Sequence, residues 1–295
     1  MAAKDGAALP DWVGLQEYLN FDFELMFLGN KFHGDSVYTA LLTLASCILG
    51  TGILYLLTFR LLGSLSTIFP TQAIERQRYI TKNLTKSIVL LIMTPHSYFW
   101  IILPTIYDEI PYWNPGVRFL GCMYASTDIV ALLILRGSLP RNTLIHHMCV
   151  TFMAMLNLTV DYSQPTILRG AAMYGAFSAP TYLVNTYLCV RFLWRKYPKP
   201  LWTTAVLAFL IYGTSLSINW MYQIKLFRAM WPWALPSYVY LIMALLWLYD
   251  DFFLLKHLSI FLFPQLPWLF RPVFLFRLPS AFPKFRQHAE RVQYL

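Results

Sequence analysis

Two adjacent histidines, His146 and His147, are the residues of this sequence best suited to chemistry. They lie about one turn inside the start of an apolar segment, residues 142–160, and an imidazole can serve as a base near neutral pH. In hydrocarbon its ring nitrogens find no water, so they need protein, headgroups or a wet cavity. Neighbours on a helix point about 100° apart, so both rings cannot share one exposed direction. The pair therefore indicates a polar site, with simple solvation at the membrane interface as the alternative.

The elements that position this pair are predicted to be membrane helices. Hydrophobic residues make up 58% of the 295 residues and charged residues only 13%, which is far from the balance of a soluble protein. We predict an all-α membrane protein with seven transmembrane helices, each near the ~20 residues needed to cross ~30 Å of hydrocarbon. The predicted spans are 36–59, 85–107, 117–135, 143–160, 168–194, 201–222 and 236–258.

Two predicted spans depart from the usual length, and both ends of the chain differ from the spans in composition. The fourth span is short enough to be re-entrant, and the fifth is long enough to kink at Pro180. Residues 1–35 are predicted to be an acidic interfacial segment without the features of a signal peptide. Residues 259–295 are rich in proline, aromatic and basic residues, which favours a tail on the membrane surface, with a docking strap for a partner as the alternative.

Basic residues give the expected orientation. Most lysines and arginines near the predicted span ends fall on one side, so the positive-inside rule predicts a lumenal N-terminus and a cytosolic C-terminus. The formal charge of +9 is spread along the span ends and forms no single face. We therefore predict contact with anionic headgroups and no binding of nucleic acid.

Several polar residues are predicted to share one level of the membrane. Counting from the cytosolic span ends, His147 lies roughly 6 Å deep, and Asp128 and Asp251 each roughly 10 Å deep. A carboxylate there costs ~2.5–3.5 kcal/mol on insertion scales, so it should have partners or water. We expect one polar cavity that opens toward the cytosol. In the alternative reading, Asp128 only orients two helices, and the acids of the last span pair with Lys256 and His257.

These residues resemble a known pattern. Tyr124 and Asp128 on one predicted helix, followed by His146 and His147 on the next, resemble the central signature of the TLC-domain family of membrane proteins. Two further segments resemble that family's Ser-x-Pro step and its aromatic last-helix pattern, at residues 177–180 and 247–253.

The resemblance covers residues 36–258 and implies a lipid-facing helical bundle, commonly in the endoplasmic reticulum. The family includes ceramide synthases, which join an acyl chain from acyl-CoA to a sphingoid base, and members thought to tune membrane lipid composition. This chain lacks the synthases' His-Asp-x-x-Ser-Asp stretch, because Asp161 is the only acid between Thr151 and Trp194. Ala176 also stands where many non-synthase relatives have a glutamate. The absence of the synthase stretch favours the non-synthase branch, although Ala176 is a departure from that branch too.

Three functions follow as hypotheses. The leading one is binding of lipid or modulation of lipid composition, for which the ligand-binding residues would be Tyr124, Ser178, Asn185, Asp250 and Asp251. The second is an N-acyltransferase with His147 as base, Asp128 as its orienting carboxylate and His146 beside them. The third is a structural subunit of a membrane assembly.

The expected partners are membrane lipids, with other membrane proteins or a second copy of the chain as alternatives. We predict no metal and no cofactor, and acyl-CoA is a co-substrate only under the second hypothesis. The endoplasmic reticulum is the expected location, with a mitochondrial membrane as the alternative.

Overall fold

The computed structural model describes residues 34–107, 109–135, 139, 141–158, 160–162, 166–194, 196–230 and 235–262. Its helices are α1 Gly34–Leu65, α2 Ile74–Ser97, α3 Leu103–Ile106, α4 Asn114–Ile134, α5 Arg141–Asn157, α6 Arg169–Ser178, α7 Tyr182–Leu193, α8 Pro198–Ala229 and α9 Leu235–Leu262. The described residues contain no β-strand, which confirms the all-α prediction. Residues 1–33 and 263–295, which hold most of the predicted interfacial segment and tail, lie outside the described residues.

Five helices among the described residues are long and apolar enough to cross a membrane, as expected of a membrane protein. They are Tyr38–Leu65, Ile74–Ile106, Asn114–Ile134, Pro198–Ala229 and Ser237–Ser259. The other two predicted spans are also helical but shorter. Helix α5 has 17 residues, and the fifth predicted span is divided into α6 and α7. Each of the seven predicted spans thus corresponds to helix.

Proline accounts for the interruptions of these helices. Pro180 lies in the 3-10 turn Ala179–Thr181 between α6 and α7, because proline has no N–H to donate and its ring crowds the preceding turn. Pro95 and Pro104 flank a π-helical turn, Tyr98–Ile102, between α2 and α3. Such turns re-satisfy the backbone carbonyls that a proline leaves unpaired.

The second helix begins earlier than predicted. The predicted span starts at residue 85, whereas α2 starts at Ile74. The basic residues of its first turns are typical of a flank outside the membrane, so the predicted span covers only the later part of this helix. Lys86 is instead a buried residue of the helix, where a carboxylate from α4 compensates its charge.

Close packing of α6, α8 and α9 sets the positions of the polar residues described below. Gln223 on α8 donates to the Gly170 carbonyl at 2.9 Å, and its own Oε1 accepts from Tyr240 of α9 at 2.9 Å. A Cβ on Gly170 would lie 2.5 Å from the Tyr240 hydroxyl, so only glycine allows this approach. The Tyr174 and Trp247 rings then stack, with centroids 4.6 Å apart.

The connection between α5 and α6 is tied down as well. The Tyr162 hydroxyl donates to Asn157 Oδ1 at 2.6 Å, and the Tyr162 N–H donates to Asn114 Oδ1 at 2.8 Å. Arg118 on α4 donates to the Val160 carbonyl at 2.8 Å. Burial raises the pKa of Tyr162, so its hydroxyl remains a donor. These bonds hold the connection against α4 and α5 at the end of the bundle opposite the histidine pair.

Candidate functional site

Asp128 is the centre of the polar cluster. It lies on α4 with no exposed surface, and its Oδ1 accepts a hydrogen bond from Lys86 Nζ of α2 at 2.6 Å. His147 Nδ1 of α5 lies 2.9 Å from the same oxygen. The Lys86 ammonium also lies 5.0 Å from the centroid of the Tyr124 ring, a distance typical of a cation–π contact. Three helices therefore meet at one buried carboxylate.

His146 contacts a second carboxylate, that of Asp250, at the edge of the bundle. Its Nδ1 lies 3.1 Å from Asp250 Oδ2 of α9, and the two side chains are 12% and 23% exposed. The His147 side chain is only 3% exposed. The two imidazole planes are inclined by 82°, as expected for neighbours that point in different directions on a helix. One histidine therefore faces the interior, and the other faces the more accessible side.

Asp251 forms a second buried contact set. Its Oδ1 accepts from the Tyr174 hydroxyl at 2.9 Å and from the Tyr212 hydroxyl at 2.7 Å, so the carboxylate joins α9 to α6 and α8. Asp250 contacts His146, and Asp251 contacts two tyrosines. These contacts replace the alternative pairing with Lys256 and His257. The ring of His257 instead lies 2.6 Å from an Arg191 nitrogen.

The structure brings most of the predicted site residues together. Ser178 donates to the Tyr174 carbonyl at 2.8 Å, which places it beside a residue that contacts Asp251. Asn185 lies nearly two turns farther along, on α7. Asn185 has no hydrogen bond or ion pair to the cluster within the described part of the chain, and its ligand role stays a prediction.

Three members of the cluster are not evident from the sequence. Lys86 is typical of a basic flank, since it occurs with other basic residues at the start of a helix. Tyr174 and Tyr212 are two of 19 tyrosines, and aromatic residues are common near membrane interfaces. The one signal for Lys86 is charge balance, because a buried carboxylate at Asp128 needs a cation.

An apolar cavity adjoins the polar cluster. It has a volume of about 60 Å³ and is lined by side chains from α2, α4, α5, α6 and α9, among them Met93, Leu120, Tyr124, Met153, Tyr174 and Trp247. Along α4, the lining extends from Tyr124 to Val117. Val117 lies roughly 16 Å from Asp128, at 1.5 Å per residue. The cavity therefore begins beside the charged groups and runs away from them.

The cluster also has the composition of a ligand set for a cation. Asp128, His146 and His147 each offer one ligating atom, and these atoms lie within 4.8 Å of one another. The same residues place imidazole nitrogens beside carboxylates, an arrangement that can accept and return a proton.

Comparison of the chain with protein-family models, with curated proteins and with solved structures finds no significant match. The resemblance to the TLC-domain family is therefore still a prediction, and the functional argument starts from the geometry of the cluster and the cavity.

Proposed function

We propose that the protein binds a membrane lipid and thereby modulates lipid composition. Part of an acyl chain would occupy the apolar cavity, and the polar part of the lipid would lie at Asp128 and His147. The proposal includes a TLC-like helical bundle of the non-synthase type, with its charged end toward the cytosol and the endoplasmic reticulum as its membrane.

The observation that carries this proposal is that the cavity and the charged cluster share two side chains. Tyr124 lines the cavity, and its ring lies against the Lys86 ammonium. Tyr174 also lines the cavity, and its hydroxyl bonds to Asp251. A site that is apolar along its length and polar at one end matches an amphipathic ligand.

Filling the cavity should displace the lipid. Gly121 lines the cavity, and a Cβ there would meet no atom within 4 Å, so Gly121→Leu places a side chain in open space. We expect wild-type protein, extracted gently and examined by native mass spectrometry, to retain a lipid. Gly121→Leu should lower that occupancy about tenfold, since roughly 1.4 kcal/mol of lost contact is a factor of ten in affinity.

Gly213→Leu is the matched control. Gly213 on α8 also has no atom within 4 Å of an added Cβ, and it is not among the residues that line the cavity. This variant should retain wild-type occupancy. Equal occupancy in wild type and Gly121→Leu, with both folded, would exclude the cavity as the binding site.

A second function, N-acyl transfer from acyl-CoA, is favoured by the contact between His147 Nδ1 and Asp128 Oδ1 at 2.9 Å. In this reaction an amine nitrogen attacks the thioester carbonyl, a C–N bond forms, and the C–S bond breaks. His147 would take the proton that the amine loses, Asp128 would stabilise the resulting imidazolium, and the imidazolium would pass the proton to the departing sulfur, so that coenzyme A leaves as its thiol. The missing acidic stretch of the synthases makes this the second candidate.

His147→Ala tests this second function. We expect a loss of about 10²–10⁴ in the rate of N-acylation, the usual contribution of a general base. The assay would follow transfer of a labelled acyl chain from acyl-CoA to a sphingoid base in membranes. His96→Ala is the control, because His96 contacts its own helix at the Ile92 carbonyl. Absence of activity in the wild type, or an unchanged rate in His147→Ala, would rule the reaction out.

A further inference from the structure

We propose that Asp128, His146 and His147 bind one divalent transition-metal ion, with zinc as the best match. This inference goes beyond the lipid-binding proposal and does not depend on it. It concerns an ion held by the polar cluster itself, and the polar part of a bound lipid would then contact that ion at Asp128 and His147.

The distances suit such an ion. Zinc binds imidazole nitrogen at about 2.0–2.1 Å and carboxylate oxygen at about 2.0–2.2 Å, so tetrahedral ligand atoms lie roughly 3.4 Å apart. One ligating atom from each of the three side chains falls within 4.8 Å of the others. Small rotations of these side chains would bring the ligating atoms to the separation that zinc requires.

Unsatisfied polar atoms provide the second, independent observation. Both ring nitrogens of His147 are buried and form no hydrogen bond with any described residue, and the same holds for Asp128 Oδ2. The 2.9 Å contact is thus close but poorly aligned for a hydrogen bond. Buried polar groups are almost always satisfied, and a metal ion would use the lone pairs that these atoms leave unoccupied.

The surrounding groups resemble the outer contacts of a metal centre. Lys86 bonds to Asp128 Oδ1, as ligating carboxylates are commonly bonded in turn, and Oδ2 remains available. Asp250 lies 3.1 Å from His146 Nδ1, where a carboxylate can orient a ligating histidine. Two imidazoles and one carboxylate suit zinc, and three protein ligands leave a fourth position for water or a lipid oxygen.

The sequence does not predict this ion. Two histidines in direct succession do not match the i, i+4 spacing with which one helix face binds zinc. The third ligand, Asp128, comes from a different helix and is itself paired with Lys86. Only the packing of α4 against α5 brings the three residues together.

The test is zinc binding by full-length protein in lipid nanodiscs, purified with a tag that contains no histidine. After removal of metal with a chelator, the protein is titrated with Zn²⁺, and bound zinc is measured by elemental mass spectrometry. Co²⁺ serves as a spectroscopic probe, since its visible absorption reports tetrahedral nitrogen and oxygen ligands. We expect one ion per chain in the wild type and at least tenfold weaker binding in His146→Gln and in His147→Gln.

His96→Ala and His257→Ala are the controls, because both side chains lie outside the cluster, and both variants should bind as the wild type does. The proposal is overturned if wild-type protein binds no more zinc than the His146→Gln and His147→Gln variants. It is also overturned if the Co²⁺ complex of the wild type is octahedral, a readout that requires no variant to fold. Lipid occupancy of the chelator-treated wild type separates the two proposals, because the cavity should retain its lipid without metal.

Discussion

Asp128→Ala is expected to lower the free energy of unfolding by about 3–5 kcal/mol, the usual cost of breaking a buried ion pair from one side. The Lys86 ammonium would then lie in the bundle without the carboxylate that it contacts at 2.6 Å. Its side chain is 10% exposed, so water compensates little of the lost contact. Reversible unfolding in mixed micelles, or thermal unfolding in detergent, measures the effect.

The matched control removes both charges. In Asp128→Leu combined with Lys86→Met, neither charge is left uncompensated, and exchange of a buried pair for apolar residues is often neutral or stabilising. The double variant should therefore recover most of the stability lost in either single variant. If the two single losses simply add, Lys86 and Asp128 do not interact in the folded protein.

Asp251→Ala is expected to cost about 1–3 kcal/mol for each hydroxyl that loses its acceptor. Tyr174 and Tyr212 both donate to Asp251 Oδ1, and no other acceptor is recorded for either hydroxyl among the described residues. Because these bonds join α9 to α6 and α8, the loss should appear as a lower unfolding temperature in detergent.

Asp251→Asn distinguishes hydrogen bonding from charge. The amide oxygen can still accept both hydroxyls, so this variant should unfold within about 1 kcal/mol of the wild type. Tyr212→Phe should be milder than Asp251→Ala, since it removes one bond and leaves no donor unsatisfied. If Asp251→Asn is as damaging as Asp251→Ala, the negative charge and not the two hydrogen bonds stabilises the contact.

Hydropathy predicted the helices well because it depends only on local composition. Every predicted span corresponds to helix, and the break at Pro180 follows from the covalent structure of proline. The predicted span covers α2 only from residue 85 onward, since four basic residues among Arg76–Lys86 are characteristic of a cytosolic flank. A flanking lysine and a buried lysine have the same sequence signal, and only the position of Asp128 distinguishes them.

The candidate site was predicted in part for a similar reason. Equal depth in the membrane correctly grouped Asp128 with His147, because the rise per residue of a helix is fixed. Depth does not give the rotation of each helix about its axis. It therefore could not show that Asp250 faces His146 while Asp251 faces two tyrosines.

Photocrosslinking with a lipid that carries a photoreactive group on its acyl chain tests the central claim most directly. After irradiation in membranes, the labelled peptides are mapped by mass spectrometry. The account predicts labels on residues 117–124 and 150–157, which line the cavity, and their loss in Gly121→Leu. Labels confined to outward-facing side chains such as Leu49 and Leu56, which are 67% and 61% exposed, would contradict it.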